Sequence, residues 1–425
     1  MYQNRPDPSE RILEETMQRL GAQGGMPSVR DVAAAAGVSP ALVVYRFADM
    51  AALRSAALEA ARLREDGIWR RRQRDYLAAP LTAGDLAGLL GELLADEAVR
   101  TPQLGALRWL RSLEAIRRGE AGGAAITAPQ ETAFWDGLSD RLGLSCEARR
   151  LCQAFYHGLA FGHVIAAGRP GFGAWSAAVT HRFTDRLRGG APAGAGSDSA
   201  FRAAAARAGD LACNAPQTRR HATREAILEA AIRILLDEGA ASLTHRRLAA
   251  EAGASVSSVI HFFDDRRALL REAYGQLHIR LRTRALEELD EAGGAPKGLT
   301  PSRLAGGLVA RSPEVMRANE RAAAGLLNAM FEASREEETA QLALAMFAHI
   351  GETSRSLFAR IEGCRGSIGW LDAQAFRLVL NGQIMLNYDP SFLDPAMRND
   401  PGASAAEIAA ALTLMFGPGP APLTA

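Results

Sequence analysis

The segment Gly37 to Phe47, GVSPALVVYRF, returns far downstream as Gly253 to Phe263, GASVSSVIHFF. The spacing is constant at 216 residues (253 − 37 = 216), so that Phe47 pairs with Phe263 and Leu53 with Leu269. Solenoid and propeller units run to about 20–50 residues, so a period this long is not one of those. It predicts two complete domain sets joined end to end, and 425 residues leave room for about two to four domains.

Each copy has the same local grammar. In the first, Ile12, Leu13, Thr16, Met17 and Leu20 place one apolar stripe on a helix that Gly24 and Gly25 stop. Ser28 is placed to cap a short helix whose Val29, Val32, Ala33 and Ala36 face inward, and Gly37 supplies a tight turn. Ser39 then caps a third helix with Pro40 in its first turn, where the missing N–H costs nothing. The second copy repeats this with Ile227, Leu228, Ala231, Ile234 and Leu235, the stop at Gly239, and caps at Thr244 and Ser255. Its first loop is one residue longer. Two short capped helices around a glycine turn read as a helix-turn-helix, the element that sets one helix into the DNA major groove.

At these residues both copies resemble the TetR family of bacterial transcription regulators. Val32-Ala33 and Leu248-Ala249 sit where that family has Ile-Ala, and Phe47 with Leu53 matches Phe263 with Leu269. The resemblance covers about fifty residues of each half. It implies an all-α fold in which each helix-turn-helix is followed by a helical regulatory domain, and a double-stranded DNA operator as partner. It also places phosphate-contacting Tyr and Lys residues where this chain has Val44 and Ile260, and Met50 and Arg266. The second copy thus keeps a cation that the first lacks, with Arg46 available to compensate.

A major-groove helix presents its N-terminal residues to base edges, while the preceding helix aims its N-terminus at phosphates. The expected DNA-facing set in the first copy is Ser28 and Arg30, then Ser39, Pro40, Ala41, Leu42, Tyr45 and Arg46. In the second it is Thr244, His245 and Arg246, then Ser255, Val256, Ser257, Ser258, His261 and Arg266. Pro40, Ala41 and Leu42 offer apolar contact to thymine methyls, whereas Ser257, Ser258 and His261 offer hydrogen bonds, so two different half-sites are expected. Arg219 and Arg220 head a basic arm suited to a minor groove or backbone, set against the plainer reading of a solvated linker end.

Charge restricts this reading. With 49 Lys and Arg against 48 Asp and Glu, the net charge is +1, so any nucleic-acid surface has to be a local patch. The four cysteines, Cys146, Cys152, Cys213 and Cys364, show no metal spacing and read as reduced core or linker residues; no metal or cofactor is expected. The sequence contains no long apolar run and no leader pattern, so a cytoplasmic protein without membrane association is expected.

The expected organisation is a first helix-turn-helix domain over 1–52, a regulatory domain over 53–189, a linker over 190–217, a second helix-turn-helix domain over 218–269 and a second regulatory domain over 270–425. Leu151, Phe155, Leu159 and Gly162, then Trp175, Val179, Phe183 and Leu187, form stripes on two late helices of the first half; Phe376, Val379, Leu380 and Ile384, then Ile408, Ala411, Leu412 and Met415, do so in the second. In the TetR family the last two helices of each subunit pack as a four-helix bundle. The resemblance, with Gly158 and Gly382 at comparable places, predicts that bundle within one chain, an intramolecular pseudo-dimer, leaving further self-association open. A linker of this length spans roughly 90 Å when extended, enough for the arrangement.

A small-molecule effector pocket is implied by the resemblance. Trp109, Phe134, Trp135, Tyr156 and His157 in the first half, and Met346, His349, Asn381 and Tyr388 in the second, are its candidate lining, against the plainer reading that they are core. Gly171-Phe172-Gly173 lacks a preceding strand, the histidines are scattered, and Glu336-Glu337-Glu338 reads as a solvated face, so catalysis is not expected. Two functions remain: a ligand-responsive regulator, expected to be a repressor, and a ligand-binding or protein-interaction module built from heads that have lost DNA binding.

Overall fold

The structure is a computed structural model that describes residues 7–23, 25–118, 126–190, 200–213, 222–263, 265–291, 313–359, 368–387, 389 and 410–413. Among these residues there is helix and no strand. The first half runs through α1 (Pro8–Gln23), α2 (Val29–Ala36), α3 (Pro40–Phe47), α4 (Met50–Leu77), α5 (Leu86–Arg100), α6 (Pro102–Arg118), α7 (Pro129–Leu142), α8 (Cys146–Ala166) and α9 (Phe172–Leu187). After α10 (Ala200–Cys213) come α11 (Ala222–Asp237), α12 (His245–Ala252), α13 (Val256–Phe262), α14 (Arg266–Glu291), α15 (Pro313–Ala333), α16 (Glu337–Phe358) and α17 (Trp370–Leu386). The expected boundaries at 52/53 and 269/270 fall inside the first turns of α4 and α14, so each head is joined to the next domain by a continuous helix rather than a linker.

The two heads rest on their bodies differently. Ile12, Val32, Ala33, Ala36, Val43 and Leu53 form a small core of their own in the first head. In the second, Leu248, Ala249, Val259, Phe263 and Leu269 belong to the large core that runs through the remainder of the molecule. Both heads nevertheless share one cross-helix device. Arg64 of α4 is ion-paired to Glu14 of α1, and Arg280 of α14 to Glu229 of α11, at matching positions of the two halves. A second device is mirrored: Gly21 of α1 lies against Gln103 of α6, whereas in the second half it is Gly325 of α15 that lies against Leu236 of α11.

The halves meet chiefly through α8 and α17, the most extensive helix pair among the described residues, with α9 alongside. Of the stripes expected on these helices, Leu151, Phe155, Leu159, Trp175, Val179, Phe183, Leu187, Phe376 and Val379 are buried, while Leu380 and Ile384 are half-buried against the core. Phe155 and Phe183 stack at 4.0 Å, and burying each such side chain is worth about 1.5–3 kcal/mol. Arg182 of α9 reaches across to the buried Asp372 of α17, Nε to Oδ1 at 2.6 Å. Ala411 and Leu412 are buried as expected, while Ile408 and Met415 lie outside the described residues.

The stretch read as a linker, whose Ala-rich run from Phe201 to Leu211 reads as one helical segment, carries α10 as a packed helix. Phe201 is fully buried and stacks on Trp175 at 4.8 Å, and Arg202 Nε binds Glu352 Oε1 at 2.7 Å. The aromatic at its N-terminus explains why an Ala-rich segment docks: the Phe201 ring packs on Phe172 and Trp175 of α9, and the small side chains let the helix lie close. No helix among the described residues is long and apolar enough to cross a membrane.

Candidate nucleic-acid interface

Backbone capping builds the paired short helices of both halves. Thr244 holds an extended conformation and its side chain accepts from the Arg247 N–H at 3.2 Å, starting α12. Gly253 closes that helix in the left-handed region at φ 61°, and the Ala254 N–H returns to the Ala249 carbonyl at 2.9 Å. Ser255 then accepts from the Ser258 N–H at 3.0 Å to start α13. The buried Val259 anchors α13. Opposite it, Val256, Ser257, Ile260 and His261 are exposed, and the Ser257 and Ser258 hydroxyls lie 2.7 and 2.8 Å from Ser255 Oγ, a cluster of three at the helix N-terminus.

The positioning helix of this head is positive at its start. His245, Arg246 and Arg247 are exposed in its first turn; Arg247 binds Glu238 at 2.9 Å, while Arg246 has no ion-pair partner among the described residues. Arg266 is exposed too, yet its Nη2 donates to the Ala240 carbonyl at 2.7 Å, and the Ala240 N–H donates to Glu332 of α15 at 2.8 Å. The cation expected on phosphate thus also braces the loop that enters α12, which local sequence could not reveal. Arg219 and Arg220 lie outside the described residues.

In the first head Gly37 has φ 62°, and Ser39 accepts from the Leu42 N–H at 3.2 Å with Pro40 at the helix start. Arg30, Ser39, Pro40, Ala41, Tyr45 and Arg46 are exposed and Leu42 half-buried. Ser28 is the departure. Its hydroxyl accepts from the Asp31 N–H at 3.2 Å while its own backbone N–H donates to Asp31 Oδ2 at 3.3 Å, a reciprocal capping box, and the hydroxyl also donates to Oδ2 at 2.6 Å. The Asp31 carboxyl is held below its ordinary range by these Ser28 hydrogen bonds, so the face that would meet phosphates carries a negative charge. The signal is legible in the sequence as Ser-x-x-Asp. On α3, Tyr45 is 83% exposed and Val44 50%; α13 likewise exposes Ile260 at 52% and Val256 at 42%, beside its serine cluster. Met50, at the position matching Arg266, packs on the head's small core instead.

Residues 227–273 match the family model of bacterial regulatory proteins, tetR family. That span opens in α11, takes in α12 and α13 and closes in α14, so it covers the three-helix head and the start of the helix that supports it. No curated protein matches the chain. A tetR-type head is a DNA-binding element, and here the exposed residues of α12 and α13 combine His245, Arg246, Arg247, Ser257 and His261 with the apolar Val256 and Ile260.

The residues expected around an effector are brought together in part, but as a closely packed cluster. Phe134, Trp135 and Tyr156 surround Trp69 at ring distances of 5.2, 6.3 and 5.6 Å. His157 Nε2 lies 2.6 Å from Glu131 Oε1. Trp109 stands apart against Phe161 at 5.0 Å. Beside them is a buried ionic cluster that sequence reasoning missed: Arg108 binds Glu97 at 3.0 Å and Glu65 at 3.3 Å, Arg111 pairs with Glu65, and the Tyr156 hydroxyl donates to Glu97. Burial raises the Glu131 carboxyl, but the His157 ring, Arg108 and the Trp135 N–H outweigh it and bring it to about 2. In the second half Met346 and Asn381 are buried and His349 lies 5.8 Å from His278; Tyr388 is outside the described residues. A cleft of about 560 Å³ opens elsewhere, between α1, α4 and the α5–α6 corner, and none of these candidates lines it.

Proposed function

We propose that the chain is a sequence-specific transcription regulator, a ligand-responsive repressor in which two TetR-like heads on one polypeptide read an asymmetric operator. The observation that carries the DNA-binding part is the family match over 227–273 on a head whose exposed face presents Thr244, His245, Arg246, Ser257, Ser258 and His261. The second copy of the head is supported by recurrence of the same capped turn 216 residues apart (253 − 37 = 216), with Gly37 and Gly253 at φ 62° and 61°. A pseudo-dimer within one chain is supported by the α8–α17 contact between halves. The effector is assigned to the helical bodies, and the protein acts in the cytoplasm on DNA rather than as an enzyme.

The Asp31 carboxylate and the exposed Tyr45 favour a narrower version for the first head, namely that it rests on the backbone or meets a protein surface while the second head reads sequence. Selecting bound sequences from a random pool with the purified full chain tests both. Two different half-sites support the asymmetric operator; one conserved half beside random sequence supports the narrower version; a perfect inverted repeat, or no selected sequence, overturns the proposal. Mass in dilute solution, expected at one chain per particle, tests the single-chain arrangement.

A further inference from the structure

We infer that the cleft between the first head and its helical body is a binding site for a small amphipathic anion, a molecule with one carboxylate or phosphate head and an apolar tail. The cleft measures about 560 Å³, within the usual range of ligand sites. Its floor is apolar: Met17 of α1 and Leu104 and Leu107 of α6 are buried there, with Ile68 of α4 beside them.

Its rim is cationic. Arg64, Arg71 and Arg100 line it against one acid, Glu14. Glu14 is engaged by Arg64, and Arg100 binds Asp96 at 2.8 Å, which leaves Arg71 exposed and without an ion-pair partner among the described residues. Thr101 and Gln103, at the start of α6, line the cleft as well, so the positive pole of that helix adds to the field felt by an anion. Head and tail requirements are thus both met in the lining of one cavity.

Gly67, exposed on α4, is a place where the cleft can be filled. A glycine in the middle of a helix destabilises it relative to alanine, and α4 carries this one among its lining residues. No neighbour requires it, because a Cβ there would meet nothing within 4 Å. Space is left open there, beside Arg64, Ile68 and Arg71 of the same helix, which also line the cleft. The ligand would touch α1 and the body at once, alongside the tight approach of Gly21 to Gln103.

The test uses the full chain with octanoate, octyl phosphate and octyltrimethylammonium as probes, read by calorimetry and thermal unfolding. The inference expects saturable binding of at least one anion, one per chain, and none of the cation. The anion that binds identifies the head group. Gly67→Leu, which fills open space on a helix, abolishes binding without lowering the unfolding temperature. The exposed Arg71→Ala weakens it by about three- to tenfold. Equal binding of the cation, binding unchanged in both variants, or no saturable binding of either anion overturns the inference. Because binding is read directly, the result is independent of whether the chain binds DNA.

Discussion

Gly158 of α8 and Gly382 of α17 lie over each other's helices in a reciprocal way: a Cβ on Gly158 would overlap the Leu378 carbonyl, and a Cβ on Gly382 the Ala154 carbonyl. Each glycine sits above the residue four positions before the other. This is the self-complementary pattern expected of a two-fold contact, where residue i meets j and j meets i. Any side chain at either place must displace backbone. We therefore expect Gly158→Val and Gly382→Val each to lower stability by about 1–3 kcal/mol or more. Denaturant unfolding should show it, whereas Gly67→Ala, where there is open space, should be neutral or stabilising.

The two heads should respond oppositely to charge changes. Arg246→Ala removes an exposed cation from the start of α12 and is expected to weaken DNA binding and to reduce the salt slope by about 0.9 for each phosphate no longer neutralised. Asp31→Asn removes the carboxylate from the matching face of the first head and should strengthen binding or leave it unchanged. Titrations at several salt concentrations measure both, and weaker binding by Asp31→Asn would count against that face lying near phosphate.

Stability should fall in acid through Glu131. Its folded-state value is about 2 against an ordinary 4.5, so folding favours the ionised form. The sign follows: that contribution is complete above about pH 4.5 and is lost as pH drops towards about 2. Glu131→Gln leaves His157 and Trp135 without their charged partner and should cost about 3–5 kcal/mol at neutral pH. Urea unfolding across this range should then be flatter in the variant than in the parent.

Thiol chemistry should separate two cysteines. Cys146 is exposed at the first turn of α8, whereas Cys152 is fully buried and its thiol is pushed up to about 12 by burial. An alkylating reagent is expected to modify Cys146 in the native protein and to reach Cys152 only on unfolding. Mass mapping of the labelled peptides checks this, and native labelling of Cys152 would mean that α8 opens locally.

Local patterns along the chain dictate much of this molecule. Ser28, Ser39, Thr244 and Ser255 all cap helices, and Gly37 and Gly253 both make the left-handed turn, because capping and turn formation involve partners within a few residues. The same holds for the inward stripes of α8, α9 and α17, since helical spacing alone puts those side chains on one face. No local pattern dictates which faces meet. The crossing of Gly158 over Gly382, the buried pairing of Arg108 with Glu65 and Glu97, and the bracing of Ala240 by Arg266 and Glu332 join residues distant in sequence. Burial converts exposed-looking charges into core ion pairs, and that requires the whole set of helices to be in place at once.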